Sequence, residues 1–197
     1  MSQSSKFAQE HNLTKTWERT TSSGPRIGYH VSATGDCRPN EIWDEHYNNF
    51  SGKVLEIGAG NGFLAKHILK SNNVEYNILD IELHHNFLRS EIGPSAVNRY
   101  YSSKNYKQIF EEEWDMVINT FALSETPKDY WMDILKNIKT KNCFFIDSSG
   151  HDTEFEPSLR EWANRFKNQI IFYDRKVDGG DKADIPVIIG KKGYYNA

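Results

Sequence analysis

Glu56, Gly58, Gly60 and Gly62 occupy alternate positions in VLEIGAGNGFLAKHIL, residues 54–69, and Asp80 follows twenty residues after Gly60 at the end of YNILD. Glycine tolerates positive φ and lets a ligand come close to the backbone. The segment after the glycines has helical apolar spacing, so its N-terminus offers free N–H groups and the positive end of a dipole. A carboxylate closing the next strand accepts the two hydroxyls of a ribose. Each feature has a plainer alternative: a tight strand-to-helix turn with no ligand, and a turn carboxylate or helix cap. Together they imply a ribose-bearing ligand at the carboxyl ends of the strands.

The register of the glycines narrows the ligand. The dinucleotide fingerprint is GxGxxG, but here the third glycine comes one place early and Phe63 takes the fingerprint position. The phosphate loop GxxxxGK[ST] is absent.

Candidate acids and bases follow the strand-like runs. Glu125 comes after VINTFALS, and Asp147 and His151 come after CFFI, all at the edge where such sheets bind ligands. Glu125 and His151 are the preferred catalytic pair, and His30 and His46 are further candidates. For any one of them a solvated loop residue or a cap is the competing reading. Asp147, His151 and Asp152 lie near one another in sequence, but no compact ligand spacing such as HExxH occurs, so no metal site is expected. His84 and His85 are neighbours at a helix start and point apart, which argues against a shared role. Arg26, Tyr29, His30 and Trp43 are candidates for binding an acceptor, with Trp17 and Tyr47 nearby; aromatic faces stack on rings, and Arg26 suits an anion. Ordinary packing of an N-terminal helix explains the aromatics equally well.

Elements must position these groups. Strands are expected at 54–57, 76–80, 97–101, 116–121, 143–147, 169–173 and 185–190. Helices are expected at 62–70, 84–91, 104–111, 128–139 and 158–167, the last with Pro157 at its entrance. An earlier helix starts near Asn40 as a cap. Strands alternating with helices give an α/β fold, a doubly wound and mostly parallel seven-stranded sheet. DGGDKAD between the last two strands suits a hairpin, so the last strand should run antiparallel. Residues 1–52 are expected to form N-terminal helices and a lid that binds the acceptor, because residues 20–40 are rich in Gly, Pro, Ser and Thr. Residues 53–197 form the ligand-binding core, and the whole fits one compact domain.

The formal net charge of −3 argues against nucleic acid as a partner. No apolar run reaches the roughly 18 residues of a membrane span, and the first residues carry no signal-like apolar stretch. Of the two cysteines, Cys143 sits in the apolar run CFFI and reads as core; a reducing, cytoplasmic location is expected. A homodimer is one way to complete the acceptor pocket.

VLEIGAGNG followed by YNILDIE resembles the class I S-adenosylmethionine-dependent methyltransferases, with Glu56, Gly58, Gly60 and Gly62 on that superfamily's E-x-G-x-G-x-G signature. EWDMVINTFALSE and CFFIDSSG resemble its fourth and fifth strands, and the likeness runs from about Lys53 to the C-terminus. VINTFALSE…YW with ILDIE also resembles sugar O-methyltransferases. The resemblance implies S-adenosyl-L-methionine as cofactor. Gly58, Ala59 and Gly60 would pack on its methionine part. Glu56 would orient that loop and, through water, the amino group. Asp80 would bind the ribose with Ile81 beside the adenine. Ser102 or Ser103 would meet the adenine amino group, and Asn119 would lie near the methyl. A cationic sulfonium and a zwitterionic end without phosphate suit a turn next to Glu56. The implied reaction is methylation of a small molecule, with a sugar or related hydroxyl compound as acceptor. N-methylation of an amine or peptide, a non-catalytic cofactor-binding protein and a nicotinamide oxidoreductase are the alternatives. The missing third fingerprint glycine and the antiparallel last strand argue against the last of these. NTFA also lacks the N-P-P-Y sequence of enzymes that methylate amino groups of nucleic acid bases.

Overall fold

The computed structural model of the chain describes residues 39–60, 62–71, 73–120, 122–123, 126–146, 154–163, 165, 170–174 and 185–189. Five parallel strands form the central sheet: β1 (Ser51–Ile57), β2 (Asn73–Asp80), β3 (Arg99–Ser102), β4 (Met116–Thr120) and β5 (Cys143–Ile146). Their order is β3-β2-β1-β4-β5. The central strands β1, β4 and β5 and the second half of β2 are mostly buried, as expected where both faces are covered, while the edge strand β3 (RYYS) is largely polar or half-buried. Among the described residues the hydrogen-bonded central sheet has five strands, not seven. β6 (Ile170–Asp174) and β7 (Ile185–Ile189) pair antiparallel with each other in a ladder of their own. β6 runs beside β5 without a hydrogen-bonded ladder, and β5, only four residues long, offers it a short edge.

The helices divide between the two faces. α1 (Pro39–Tyr47), α2 (Phe63–Ser71) and α3 (Glu82–Ile92) cover one face. There Trp43, Tyr47, Leu64, Ala65, Ile68 and Leu88 pack on Val54, Ile78, Met116, Ile118 and Phe144. A 3₁₀ helix (Ser103–Glu111), α4 (Lys128–Asn137) and α5 (Phe155–Ala163) cover the other. There Ile109, Trp131, Ile134, Phe155, Leu159 and Trp162 pack on Leu55, Ile57, Leu79, Val117 and Phe145. Cys143 is fully buried in this second core.

Two helix starts and one helix type differ from expectation in ways the residues explain. α1 begins at Pro39, so proline takes the first helical position and Asn40 is inside the helix. Pro157 is the third residue of α5, where the N–H it lacks would have had no helical acceptor. The segment after β3 is 3₁₀ and not α-helical, and it is broken at Asn105 (φ −117°, ψ 30°). Its buried and half-buried apolar residues Tyr106 and Ile109 stand three apart, the spacing that aligns on one 3₁₀ edge.

The sheet order sets the position of the site. β2 and β3 lie on one side of β1, and β4 and β5 on the other. The chain leaves β1 for α2 on one face, while α4, which follows β4, packs on the opposite face. The segments after β1 and β4 therefore lead to opposite faces from the carboxyl edge, the usual ligand position in such sheets.

Gly58 packs tightly on the loop after β4. Its φ is +69°, and a Cβ built on it would lie 2.2 Å from the Ala122 Cβ in the loop after β4. Gly58→Ala is expected to cost about 3 kcal/mol, from left-handed backbone strain plus overpacking. Urea unfolding measures the loss. Adding Ala122→Gly should return the steric part and leave the backbone part; no recovery in the double variant would place the cost elsewhere.

Candidate active site

Glu56 and Ile57 end β1, and the glycine turn follows at once. Gly58, Gly60 and Gly62 have φ of +69°, +57° and +73°, a conformation costly for residues with a Cβ. Gly58 donates its N–H to Leu79 O on β2 (2.8 Å), and Gly62 donates to Ala59 O (2.8 Å). Gly62 O then accepts the Lys66 N–H (2.9 Å), closing the first turn of α2. A Cβ on Gly62 would lie 2.8 Å from Ile92 Cγ1, so close packing on α3 also requires glycine there. Ala59 is buried between them.

Glu56 is 1% exposed and points to the face shared with Tyr76, whose hydroxyl donates to Glu56 Oε2 at 2.9 Å. Among the described residues no lysine or arginine pairs with it. Burial pushes its carboxyl up to about 7; the Tyr76 hydrogen bond works against that shift, and the charge of Asp80 adds to it. Two acidic groups thus act on each other near the carboxyl ends of β1 and β2.

Asp80 ends β2 opposite Ser102 on β3 and is buried. Its Oδ1 accepts the Ile81 N–H (2.7 Å) and lies 3.1 Å from His84 Nδ1. Its own carbonyl lies 3.3 Å from His85 Nε2. Its Oδ2 is buried and meets no partner among the described residues. The plain reading and the ligand reading therefore apply to different oxygens. Oδ1 is the turn carboxylate, and Oδ2 is left to accept. A buried carboxylate oxygen without a donor is costly, and such atoms are rare in folded proteins. A ribose hydroxyl is a donor that would satisfy it.

The residues named from the sequence divide as follows. Ile81 follows Asp80 in extended conformation (φ −64°, ψ 139°) and is half-buried. Ser102 caps the 3₁₀ helix, its Oγ accepting the Lys104 N–H at 3.3 Å. The neighbouring Ser103 Oγ is buried and meets no partner among the described residues, so it is the better placed of the two for an added polar ligand. Asn119 is fully buried opposite Ile57, and its Oδ1 accepts the N–H groups of Ala122 (3.3 Å) and Leu123 (3.0 Å). That bond pair folds the loop after β4 and carries Ala122 onto Gly58. Trp43 is fully buried and takes the packing alternative. It stacks on Tyr47 (4.8 Å) and meets Phe144 edge-on (5.4 Å). The next residues of α1 lie at the opposite edge of the sheet, since Tyr47 donates its hydroxyl to the carbonyl of Cys143, the first residue of β5. His46 is therefore not brought to the carboxyl edge. Arg26, Tyr29, His30, Glu125, Asp147, His151 and Asp152 lie outside the described residues. Among the described residues no group of three or more metal-binding side chains comes together.

Two neighbours of Asp80 had no role assigned from the sequence. His84 touches its carboxylate, a contact signalled only by the four-residue spacing across the strand–helix junction. Tyr130, in the first turn of α4, lies near enough that the charge of Asp80, after burial, raises its hydroxyl well above the ordinary value. Its ring leans on Tyr106 (4.4 Å), whose hydroxyl donates to Asp133 at 2.6 Å.

The pieces fit a cationic, ribose-bearing group: a buried unpaired acceptor, a second buried carboxylate without a cation, and a glycine turn with no basic residue in it. They suit a pyrophosphate poorly, because both nearby charges are negative. Among the described residues no helix is long and apolar enough to cross a membrane. No family model and no curated protein matches the sequence. Among solved structures, the chain is similar to a candidate S-adenosyl-L-methionine-dependent methyltransferase from Methanococcus maripaludis, at 14% identity and a TM-score of 0.47, over 78% of this chain and 74% of that one. It is similar to a SAM-dependent methyltransferase from Aquifex aeolicus at 14% identity and a TM-score of 0.45, over 79% and 77%. It is also similar to an rRNA methylase from Streptococcus thermophilus at 13% identity and a TM-score of 0.45, over 79% and 98%.

Proposed function

We propose that the chain binds S-adenosyl-L-methionine at the carboxyl edge between β1 and β4 and transfers its methyl group to a small-molecule hydroxyl acceptor. The observation that carries the reading is the buried Asp80 Oδ2, left without a donor at the carboxyl edge beside the glycine turn. Asp80 would hold the ribose, Ser103 would be offered to the adenine, and the turn from Gly58 to Gly60 would pack on the methionine part. Glu56 would balance the ligand's positive charge. The bound cofactor supplies an activated methyl group. The protein's part is to align the acceptor with it and to exclude water. A hydroxyl acceptor must also lose a proton, and Glu125 or His151, both following strands in sequence, are the groups proposed to take it. The net charge of −3 supports a small acceptor over a polyanion.

Calorimetry with S-adenosyl-L-homocysteine and with NAD tests the cofactor. Binding of the first and not the second is expected, and a preference for NAD would overturn the reading. A methyl-transfer screen of sugar hydroxyls against amines, peptides and RNA then tests the acceptor. Transfer only to RNA would sink the small-molecule reading and leave the cofactor standing.

A further inference from the structure

We propose that His84 is a positioning residue that fixes the ribose-binding carboxylate, an inference that rests on the cofactor reading above and goes beyond it. Asp80 is gripped by three donors at once. The Ile81 N–H and His84 Nδ1 meet Oδ1 at 2.7 and 3.1 Å, and His85 Nε2 meets the main-chain carbonyl at 3.3 Å. A carboxylate and a carbonyl only accept, so His84 carries its proton on Nδ1 and His85 carries its own on Nε2. All three bonds fall on Oδ1 and the main chain, and none falls on Oδ2. Rotation of the carboxyl about χ2 would exchange the two oxygens; holding Oδ1 from two directions prevents it. Oδ2 then keeps one fixed direction. His84 stands in the first turn of α3, so the helix itself sets the approach of its ring. The His84 side chain is 17% exposed and that of Asp80 7%, so the contact is largely shielded from water. A fixed acceptor costs less entropy to engage than one that rotates, and the gain is realised only by a ligand that uses Oδ2.

The test is a ligand preference. Calorimetry on the full chain compares S-adenosyl-L-homocysteine with its 2′,3′-dideoxy analogue, which lacks both ribose hydroxyls. Wild type should prefer the first strongly. His84→Ala should cut that preference about five- to tenfold, less than loss of the acceptor itself, because Asp80 keeps its charge and its bond from Ile81. His84→Asn should restore it to within about twofold, because Asn Nδ2 stands where His Nδ1 stood and donates likewise. A merely structural histidine would lower affinity for both ligands alike and leave the preference unchanged, and that result overturns the proposal. Failure of the Asn variant to rescue does so as well. Wild type that binds no S-adenosyl-L-homocysteine refutes the cofactor reading and this inference with it. Binding with an unchanged preference refutes only the role of His84.

Discussion

Asp80→Asn is expected to weaken binding of S-adenosyl-L-homocysteine by about 10- to 100-fold, the cost of a hydrogen bond to a charged acceptor. Asparagine keeps an oxygen where Oδ1 accepts from Ile81 and His84, and it puts an amide in place of the unpaired Oδ2. The support of the turn survives while the ribose acceptor is lost. Asp80→Ala removes both and should cost more, at least 100-fold. Stability should move the other way in the asparagine variant. Asp80 is buried, and its charge works against ionisation of Glu56, so a neutral side chain relieves repulsion. The expected pattern is weaker binding with unchanged or raised melting temperature, the trade typical of residues kept for function. Calorimetry and thermal melting on one preparation check both halves. Unchanged affinity would show that the ribose does not sit at Asp80, and a large loss of stability would make Asp80 a structural carboxylate.

The sequence announces this carboxylate more clearly than it announces its surroundings. The turn and the acid are local features: a glycine register, and an acid closing an apolar run. Strand existence is legible for the same reason, since β1, β2 and β4 are apolar runs bounded by turn residues. His84 was hidden by the choice of comparison. Set against His85 it is one residue away and points elsewhere; set against Asp80 it is four away, and the extended Ile81 brings the two together. Tyr130 comes from a different element altogether, carried to Asp80 by the packing of α4 on the sheet, which no local pattern records. Apolar spacing found the helix after β3 but could not separate 3₁₀ from α geometry, because Tyr106 and Ile109 three apart satisfy both. β6 and β7 pair with each other, but whether their ladder joins the main sheet depends on edge length and approach, which DGGD does not encode. Trp43 is the reverse case. An aromatic side chain suits a pocket and a core equally, and only its neighbours Tyr47, Phe50 and Phe144 decide for the core.

Glu56 should make both stability and cofactor affinity depend on pH near neutrality, in opposite directions. Its carboxyl sits at about 7 in the folded chain because burial disfavours the charge, against an ordinary value of 4.5 when unfolded. A raised folded value contributes stability that is fully present below 4.5 and lost as pH rises through about 7. At 1.36 kcal/mol per unit, the loss across that window is about 3 kcal/mol. Glu112 and Asp115 are shifted the other way. Desolvation raises Glu112, but hydrogen bonds from Lys53 and Tyr101 outweigh it, while Asp115 is lowered chiefly by its bond from Lys141. Their stabilisation is lost only as pH falls below the ordinary carboxylate range, and comparison with a neutral variant separates Glu56 from the histidines that titrate in the same window. Glu56→Gln stays neutral, and its amide oxygen accepts from the Tyr76 hydroxyl in the same place. The variant should match wild type near pH 4 and exceed it by about 3 kcal/mol at pH 8, seen as a melting point higher by roughly 5–10 °C. Binding behaves differently, since a cation beside Glu56 favours the ionised form. Wild-type affinity for S-adenosyl-L-homocysteine, with its ammonium, should fall as pH drops below about 7, by at most tenfold per unit. In Glu56→Gln that dependence should vanish, and the affinity at pH 8 should be lower than wild type. A wild type whose stability and affinity are both flat from pH 5 to 8 would mean that Glu56 ionises freely and faces water.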